Sequence, residues 1–365
     1  MENKKLAFVI GSLSSGGAER VISNLSNELV NRFDILIITF TKSKPFYPLD
    51  ERIKVMACRD TNDIPTSMFQ SLKLNYLLVR NVYSIFKKEK VDIAIGFITS
   101  ANIITTIAAK LYKIPCVISE RNNPLVEEVP RFWAILRTWV YPMCDALVLQ
   151  TNGIKNIYKK KLKAHKITIL PNPLSTELAE KRDVSVEKEK LILTVGRLDI
   201  NKCHEDLIKA YKALNIKDWK VKIIGDGNRK QELLALIDTY DLSNNIKIIS
   251  KVKDMERYYN RASIFVLTSR TEGFPNALLE AMYFGVPSIS YNCNFGPSDL
   301  INDGIDGFLT SIHDVEALKE KLLVLMTDKE LRAKFSLKAK ASTERFKSEF
   351  VVSKWENLIK DLIHN

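Results

Sequence analysis

The sequence predicts an α/β chain of two doubly wound domains that face each other across a cleft, and three observations carry that reading. Short β-branched runs alternate with amphipathic stretches from end to end, the pattern of parallel strands covered by helices on both faces. A proline-punctuated break near residues 171–190 separates two such series. The length, 365 residues, suits two domains of roughly 150 residues, each able to bury its own core.

In the first series LAFVI, FDILIITF, VDIAIGF, PCVIS and DALVLQ read as buried strands. Between the first two lies AERVISNLSNELVNRF, whose Val21, Leu25, Leu29 and Phe33 recur at helical spacing. KITILPNPL closes a strand in two prolines, and Ser175–Lys190, charged and weakly periodic, reads as a linker. LILTVG, KVKIIG, NIKIIS, ASIFVLTS and VPSIS then repeat the theme. The last helix, Phe350–Ile363, sets Trp355, Leu358 and Leu362 on one face. The domains expected are therefore 1–174 and 191–349 with a linker at 175–190, and the helix at about 350–365 is expected to pack back on the first domain.

Composition narrows the classes. Hydrophobic residues make up 46% and charged residues 27%, which argues against a disordered chain, a fibre or an integral membrane protein. The N-terminal MENKKLAFVIGS is a first strand and its turn, not a secretion signal. The uncharged Ile93–Ala109 holds Ser, Thr, Asn and Gly and is too short to span a bilayer. Five dispersed cysteines with no C-x-x-C pair suit reduced cytosolic thiols. The histidines lack H-x-x-x-H spacing, and no metal site is expected. The net charge of +12 is uneven, since residues 1–175 hold 25 Lys and Arg against 14 Asp and Glu. That surplus calls for an acidic partner or simply a solvated face.

Four constellations fall at strand ends, where α/β sheets bind ligands. Gly16-Gly17 precede a helix, where backbone N–H groups meet a phosphate, or they only make a turn. Arg197 and Lys202, five apart in G-R-L-D-I-N-K, either clamp a diphosphate or sit solvated. Gly225-Asp-Gly227 is a tight turn or a close approach to a flat ligand such as a base. In T-E-G-F-P-N-A-L-L-E, Glu272 can accept sugar hydroxyls while the loop N–H groups face a phosphate. Asn276 there is placed to cap the following helix, and Glu280 reaches a ribose diol or points to solvent.

Together these motifs resemble the GT-B glycosyltransferases of family 4, over nearly the whole chain. The resemblance rests on G-G-A-E-R-V (Gly16–Val21), S-E-R-N (Ser119–Asn122), L-P-N-P (Leu170–Pro173), G-R-L-x-x-x-K (Gly196–Lys202) and G-D-G (Gly225–Gly227). It continues through E-G-F-P-N-A-L-L-E-A-M (Glu272–Met282), F-G-V-P (Phe284–Pro287) and D-G-I-D-G-F-L (Asp303–Leu309). The chain is most similar to bacterial enzymes that extend undecaprenyl-diphosphate-linked glycans, the N-glycan N-acetylgalactosaminyltransferases and O-antigen transferases.

The resemblance implies a GT-B pair of Rossmann-like domains and retaining transfer from a UDP-sugar, with N-acetylgalactosamine the sugar favoured and galactose, glucose and N-acetylglucosamine open. It implies that Gly16 and Gly17 meet the donor's β-phosphate or sugar, and that Arg197 and Lys202 hold the diphosphate and stabilise the leaving group. Glu272 would bind the donor sugar, supported by the backbone of Gly273, Phe274, Pro275 and Asn276, and Glu280 the ribose. Gly225 and Gly227 belong to the same donor site. Two departures stand out. Cys203 occupies a position that is commonly Gly, and Ser-Glu120-Arg121 stands where many relatives carry a sugar-contacting His. Glu120 and Arg121 are therefore candidates for acceptor or sugar contact. No D-x-D pair occurs, which suits an enzyme with no metal and no other cofactor.

The basic first half has an acidic partner under this reading. Lys87-Lys88-Glu-Lys90, the run Lys155–Lys166 with Lys159–Lys161, and the helix Ser67–Phe86 make basic patches. That helix combines Phe69, Leu72, Leu77, Leu78 and Ile85 with Lys73 and Arg80. It reads as a membrane-surface helix or as one packed on its own sheet. The expected partners are a UDP-sugar, an undecaprenyl-diphosphate-linked glycan and the anionic inner face of the cytoplasmic membrane, with no nucleic acid because no aromatic residues interleave the basic runs. A UDP-sugar epimerase of the same plan and a non-enzymatic binder of anionic polymers are the alternatives.

Overall fold

The computed structural model describes residues 4–60, 67–121, 124, 129–160, 162–250 and 252–364. Asn122 of S-E-R-N and Lys161 of the basic run lie outside them. The chain divides into two compact units, one of residues 1–173 with 348–365 and the other of residues 174–347.

The first unit runs β1 (Lys5–Ile10), α1 (Gly17–Leu29), β2 (Asp34–Thr39), β3 (Lys54–Ala57), α2 (Met68–Glu89), β4 (Ile93–Phe97), α3 (Thr99–Tyr112), β5 (Cys116–Ser119), α4 (Arg131–Val140), β6 (Ala146–Leu149), α5 (Asn152–Tyr158) and β7 (Ile167–Ile169). The strands form one parallel sheet in the order β3-β2-β1-β4-β5-β6-β7. Winding reverses between β1 and β4. The central strands are apolar at every position because both faces are covered: Leu6–Ile10 and Ile93–Phe97 are all buried. One face packs Val21, Ile22, Leu25 and Leu29 of α1 against Phe8, Ile35, Ile37 and Ile95.

The second unit holds α6 (Thr176–Glu180), β8 (Leu191–Val195), α7 (His204–Leu214), β9 (Lys220–Ile224), α8 (Lys230–Thr239), β10 (Ile246–Ile249), α9 (Glu256–Arg261), β11 (Ile264–Leu267), α10 (Asn276–Tyr283), β12 (Ser288–Tyr291), α11 (Pro297–Leu300), β13 (Gly307–Thr310), α12 (Val315–Thr327) and α13 (Lys329–Thr343). Its parallel sheet has the order β10-β9-β8-β11-β12-β13, with the reversal between β8 and β11. The final helix, α14 (Ser348–His364), returns to the first unit. There Val351, Val352, Trp355 and Ile359 are buried, and the Trp355 ring stacks on Phe97 at 6.2 Å.

Two strands have no counterpart in the sequence reading. β3 and β13 are edge strands of four residues, and β3 is exposed or half-buried throughout, so neither carries a long apolar run. Residues 175–190, expected as a linker, belong to the second unit. Ser175 caps α6 by accepting from the Leu178 N–H, and Leu174 and Leu178 enter that unit's core. Lys188 donates to the carbonyls of Tyr259 and Phe284, and burial pushes its ammonium down to about 8. Its apolar anchors, Leu178 and the preceding Leu174, lie one turn apart, too short a pattern to stand out among its charges.

Candidate active site

The motif loops of the second unit leave the two strands that flank its winding reversal, the place where parallel α/β sheets open a ligand crevice. The loop after β8 carries Arg197 and Lys202, and the loop after β11 carries Glu272. Arg270 N–H donates to Asn201 O (2.8 Å), Asn201 Nδ2 to Thr271 O (3.0 Å) and Thr268 Oγ1 to Lys202 O (2.7 Å), so the two loops are stitched together. Lys202 Nζ lies 2.5 Å from Glu272 Oε1, both side chains largely buried. The pairing joins residues 70 positions apart. Arg197 is 74% exposed at its side chain and lies 3.3 Å from Asp199.

His204, the first residue of α7, fixes the same loop. Its Nε2 lies 3.2 Å from Arg197 O, and burial pushes the ring down to about 4, so it stays neutral and serves as a donor. Cys203 just before it has φ 46°, ψ 42°, a left-handed conformation. Glycine adopts such a conformation without strain; here the thiol is tucked in instead, donating to Ile200 O. Burial pushes the Cys203 thiol up to about 11.

Gly225 and Gly227 are explained by packing. A Cβ at Gly225 would sit 1.9 Å from Gly196 O, and one at Gly227 2.3 Å from Leu198 O. Leu198 N–H donates to Asp226 O and Arg229 N–H to Leu198 O. The glycines let the G-D-G turn lie flush against the Arg197 loop, and this close approach requires no ligand.

In the E-G-F-P-N loop the roles divide. The Phe274 side chain is core, tilted against Phe346 at 5.8 Å, so only its backbone is left for ligand contact. Asn276 is the first helical residue of α10 and not its cap; Pro275 takes the cap position, with no side-chain cap bond. Gly296, at φ 99°, brings its chain within reach of the Pro275 ring, where a Cβ would lie 2.5 Å from Cδ. Glu280 is buried rather than solvated, and its Oε2 accepts the Tyr259 hydroxyl at 2.9 Å. Tyr259 lies 21 residues away, and nothing in the motif announces it.

In the first unit, Gly16 caps α1 at φ −121°, ψ 169°, a conformation open to any residue. A Cβ there would lie nearest the carboxylate end of Glu19, which can swing away; Gly17 opens the helix. Glu120 and Arg121 follow β5. Glu120 is fully buried and its Oε2 accepts hydroxyls from Tyr141 (2.6 Å), Thr99 (3.3 Å) and Tyr158 (3.4 Å). Arg121 Nη1 donates to Asn172 Oδ1 at 2.5 Å, an oxygen that also accepts from Gln150. Burial pushes the Arg121 guanidinium down to about 9 against the raising effect of the Glu120 charge.

The fold also assembles a group that spacing does not reveal. Ligand-type atoms of Cys203, Asp206 and His313 lie within 4.8 Å of one another. Hydrogen bonds satisfy its centre, as Asp206 accepts from His313 Nδ1 (2.8 Å) and the Tyr291 hydroxyl (3.0 Å).

Comparison with known proteins decides the family. Residues 15–178 match Glycosyltransferase Family 4 and residues 176–342 match Glycosyl transferases group 1. An α-1,4-N-acetyl-D-galactosaminyltransferase of Campylobacter jejuni, named for a GalNAc-containing undecaprenol-diphosphate glycan, is 32% identical over 98% of this chain and 99% of its own. The chain belongs to the family 4 glycosyltransferases. A UDP-Gal:α-D-GlcNAc-diphosphoundecaprenol α-1,3-galactosyltransferase of Escherichia coli is 27% identical over 77% of each chain. Among solved structures, a glycosyltransferase from Rickettsia africae superposes on the whole of this family 4 enzyme with TM-score 0.85 at 19% identity, all of both chains covered. An Anabaena protein solved with UDP gives 0.79 at 16% identity, over 98% of this chain and all of its own.

Proposed function

We propose that this glycosyltransferase moves one sugar, with retention and without a metal, from a UDP-sugar to an undecaprenyl-diphosphate-linked oligosaccharide during surface-glycan assembly. The sugar favoured is N-acetylgalactosamine, on the likeness to the Campylobacter jejuni transferase. The observation that carries the chemistry is the Lys202–Glu272 pair, one cation and one carboxylate held together at the sheet's winding reversal beside the exposed Arg197. Breaking the sugar–phosphate bond leaves negative charge on the β-phosphate. Lys202, held by Glu272, and the exposed Arg197 supply cations for that charge, and the N-terminus of α10 with the Gly273–Asn276 backbone adds N–H donors. Glu272 accepts sugar hydroxyls, and Glu280, oriented by Tyr259, accepts those of the ribose. Gly16, which its own backbone angles do not require, is the close-approach point for the donor in the first domain.

The enzyme works at the cytoplasmic face of the membrane on this reading. Among the described residues no helix is long and apolar enough to cross a bilayer. A peripheral surface is supported by α2 and α4, which both pack on α3. Phe69, Leu72 and Tyr76 of α2 and Phe132, Ile135 and Trp139 of α4 are exposed on successive turns, the apolar stripe of an interfacial helix. The lower half of α2 instead packs inward through Leu78, Val82 and Phe86.

A donor screen against a mixture of short undecaprenyl-diphosphate-linked acceptors tests the reading. UDP release and a linkage-mapped product with UDP-N-acetylgalactosamine are expected. Epimerisation of UDP-N-acetylglucosamine with no acceptor present, or no turnover with any donor, would overturn it.

A further inference from the structure

The carboxyl edge of the first sheet holds a guanidinium whose bonding the fold leaves incomplete. Arg121 is 8% exposed. Its plane lies 4.8 Å over the Phe97 ring and 6.0 Å from that of Trp355. One bond, to Asn172, holds Nη1, while Nε and Nη2 are buried with no hydrogen-bond partner among the described residues. Neighbouring Glu120 commits Oε2 to Tyr141, Thr99 and Tyr158. Buried donors are normally satisfied, and a buried charge more so.

The two unpartnered nitrogens are adjacent on one edge of the guanidinium. They form the fork that binds two oxygens of a single carboxylate or phosphate. Shielded from solvent, such bonds are at their strongest. The surroundings point the same way. Phe97, beneath the guanidinium, ends β4, and α3 begins two residues later. Ile98 between them is held at φ 74°, ψ 151°, rare for a β-branched residue, and provides no side-chain cap. The 14-residue α3 therefore turns its positive end to the edge where Arg121 lies, beside the β1/β4 winding reversal.

We propose that the Nε–Nη2 fork of Arg121 and the N-terminus of α3 form an oxyanion subsite of the first domain that grips two oxygens of one phosphate group. Resting on the function proposed above, the phosphate is that of the acceptor's lipid diphosphate; the nucleotide diphosphate is the other source of the same chemistry. Lysine cannot reproduce the fork, which makes Arg121→Lys the informative change.

Calorimetry on the full chain saturated with UDP, titrated with inorganic diphosphate, tests the subsite without turnover. The wild type is expected to bind one diphosphate beyond UDP, and Arg121→Lys to weaken that step at least tenfold with UDP affinity unchanged. Hydrogen exchange of the wild type, which needs no variant to fold, is expected to show diphosphate protecting peptides over residues 97–121. Absence of a second anion step, absence of that protection, wild-type affinity in Arg121→Lys, or parallel loss of UDP affinity would each overturn the subsite. For the source, Arg121→Lys should raise KM at least tenfold for a polyprenyl-diphosphate glycan and leave it unchanged for the same glycan as an alkyl glycoside. Equal rises would overturn the assignment to the lipid diphosphate. If the wild type uses neither acceptor, the functional reading falls while the calorimetry and exchange still decide the subsite.

Discussion

Lys202 and Glu272 come from loops on neighbouring strands, and each is the other's partner at 2.5 Å. Lys202→Ala removes the largely buried cation proposed to stabilise the leaving phosphate and is expected to lower kcat about 10²–10³-fold, the range for losing one preorganised charge-stabilising group. Near-normal turnover in the folded variant would remove Lys202 from the mechanism. His204 makes a stability prediction. Burial holds its folded pKa at about 4, below the ordinary 6.5, so the unfolded chain takes up a proton that the folded chain refuses. Stability from this residue is complete above pH 6.5 and is lost as pH falls from 6.5 toward 4, by about 3 kcal/mol in all. Melting temperatures across that window should fall more steeply for the wild type than for His204→Gln; matching slopes would contradict the assignment. At this scale the spacing G-R-L-x-x-x-K and E-x₇-E picks out the candidate site residues. It does not separate Phe274, whose ring is core, from its neighbours, and it does not reveal Tyr259, which reaches Glu280 through the fold.

At the scale of elements, α14 shows what closes the first unit. Trp355 is fully buried against Phe97, and Ile359 and Val351 extend the contact. Trp355→Ala should destabilise the first unit by about 3–5 kcal/mol, the usual consequence of emptying an aromatic site. A denaturant midpoint equal to that of the wild type would show that the helix contributes nothing. The amphipathic face of α14 is legible in its spacing, as are the long central strands, because both sheet faces are apolar there. The edge strands β3 and β13 and the short helix α6 are not legible. Each is held by one neighbouring strand or by two or three side chains, and so little burial leaves no periodic trace.

Across the whole molecule, the charge surplus and the exposed apolar turns occur in the same half of the chain. Trp139 is 75% exposed on α4, whose run R-F-W-A-I-L-R-T-W-V the sequence reading passes over in favour of α2. Flotation with vesicles rich in anionic lipid should recover the protein better than neutral vesicles do, and better at low than at high salt, at about 1 kcal/mol per cation near the surface. Trp139→Ser should reduce recovery on both vesicle types while the salt dependence persists. Equal recovery on anionic and neutral vesicles would leave no electrostatic docking.

By itself the sequence determined the α/β class, the parallel strands of two sheets and the motifs proposed for phosphate and sugar, because these depend on local period and on side-chain chemistry at strand ends. Only the tertiary structure decided that residues 175–190 belong to the second unit with Leu178 in its core, that Gly225 and Gly227 pack flush against the Arg197 loop, and that Lys202 meets Glu272. It alone leaves Nε and Nη2 of Arg121 without a hydrogen-bond partner among the described residues. These outcomes depend on contacts between residues tens of positions apart, and only the winding of the sheets brings such residues together.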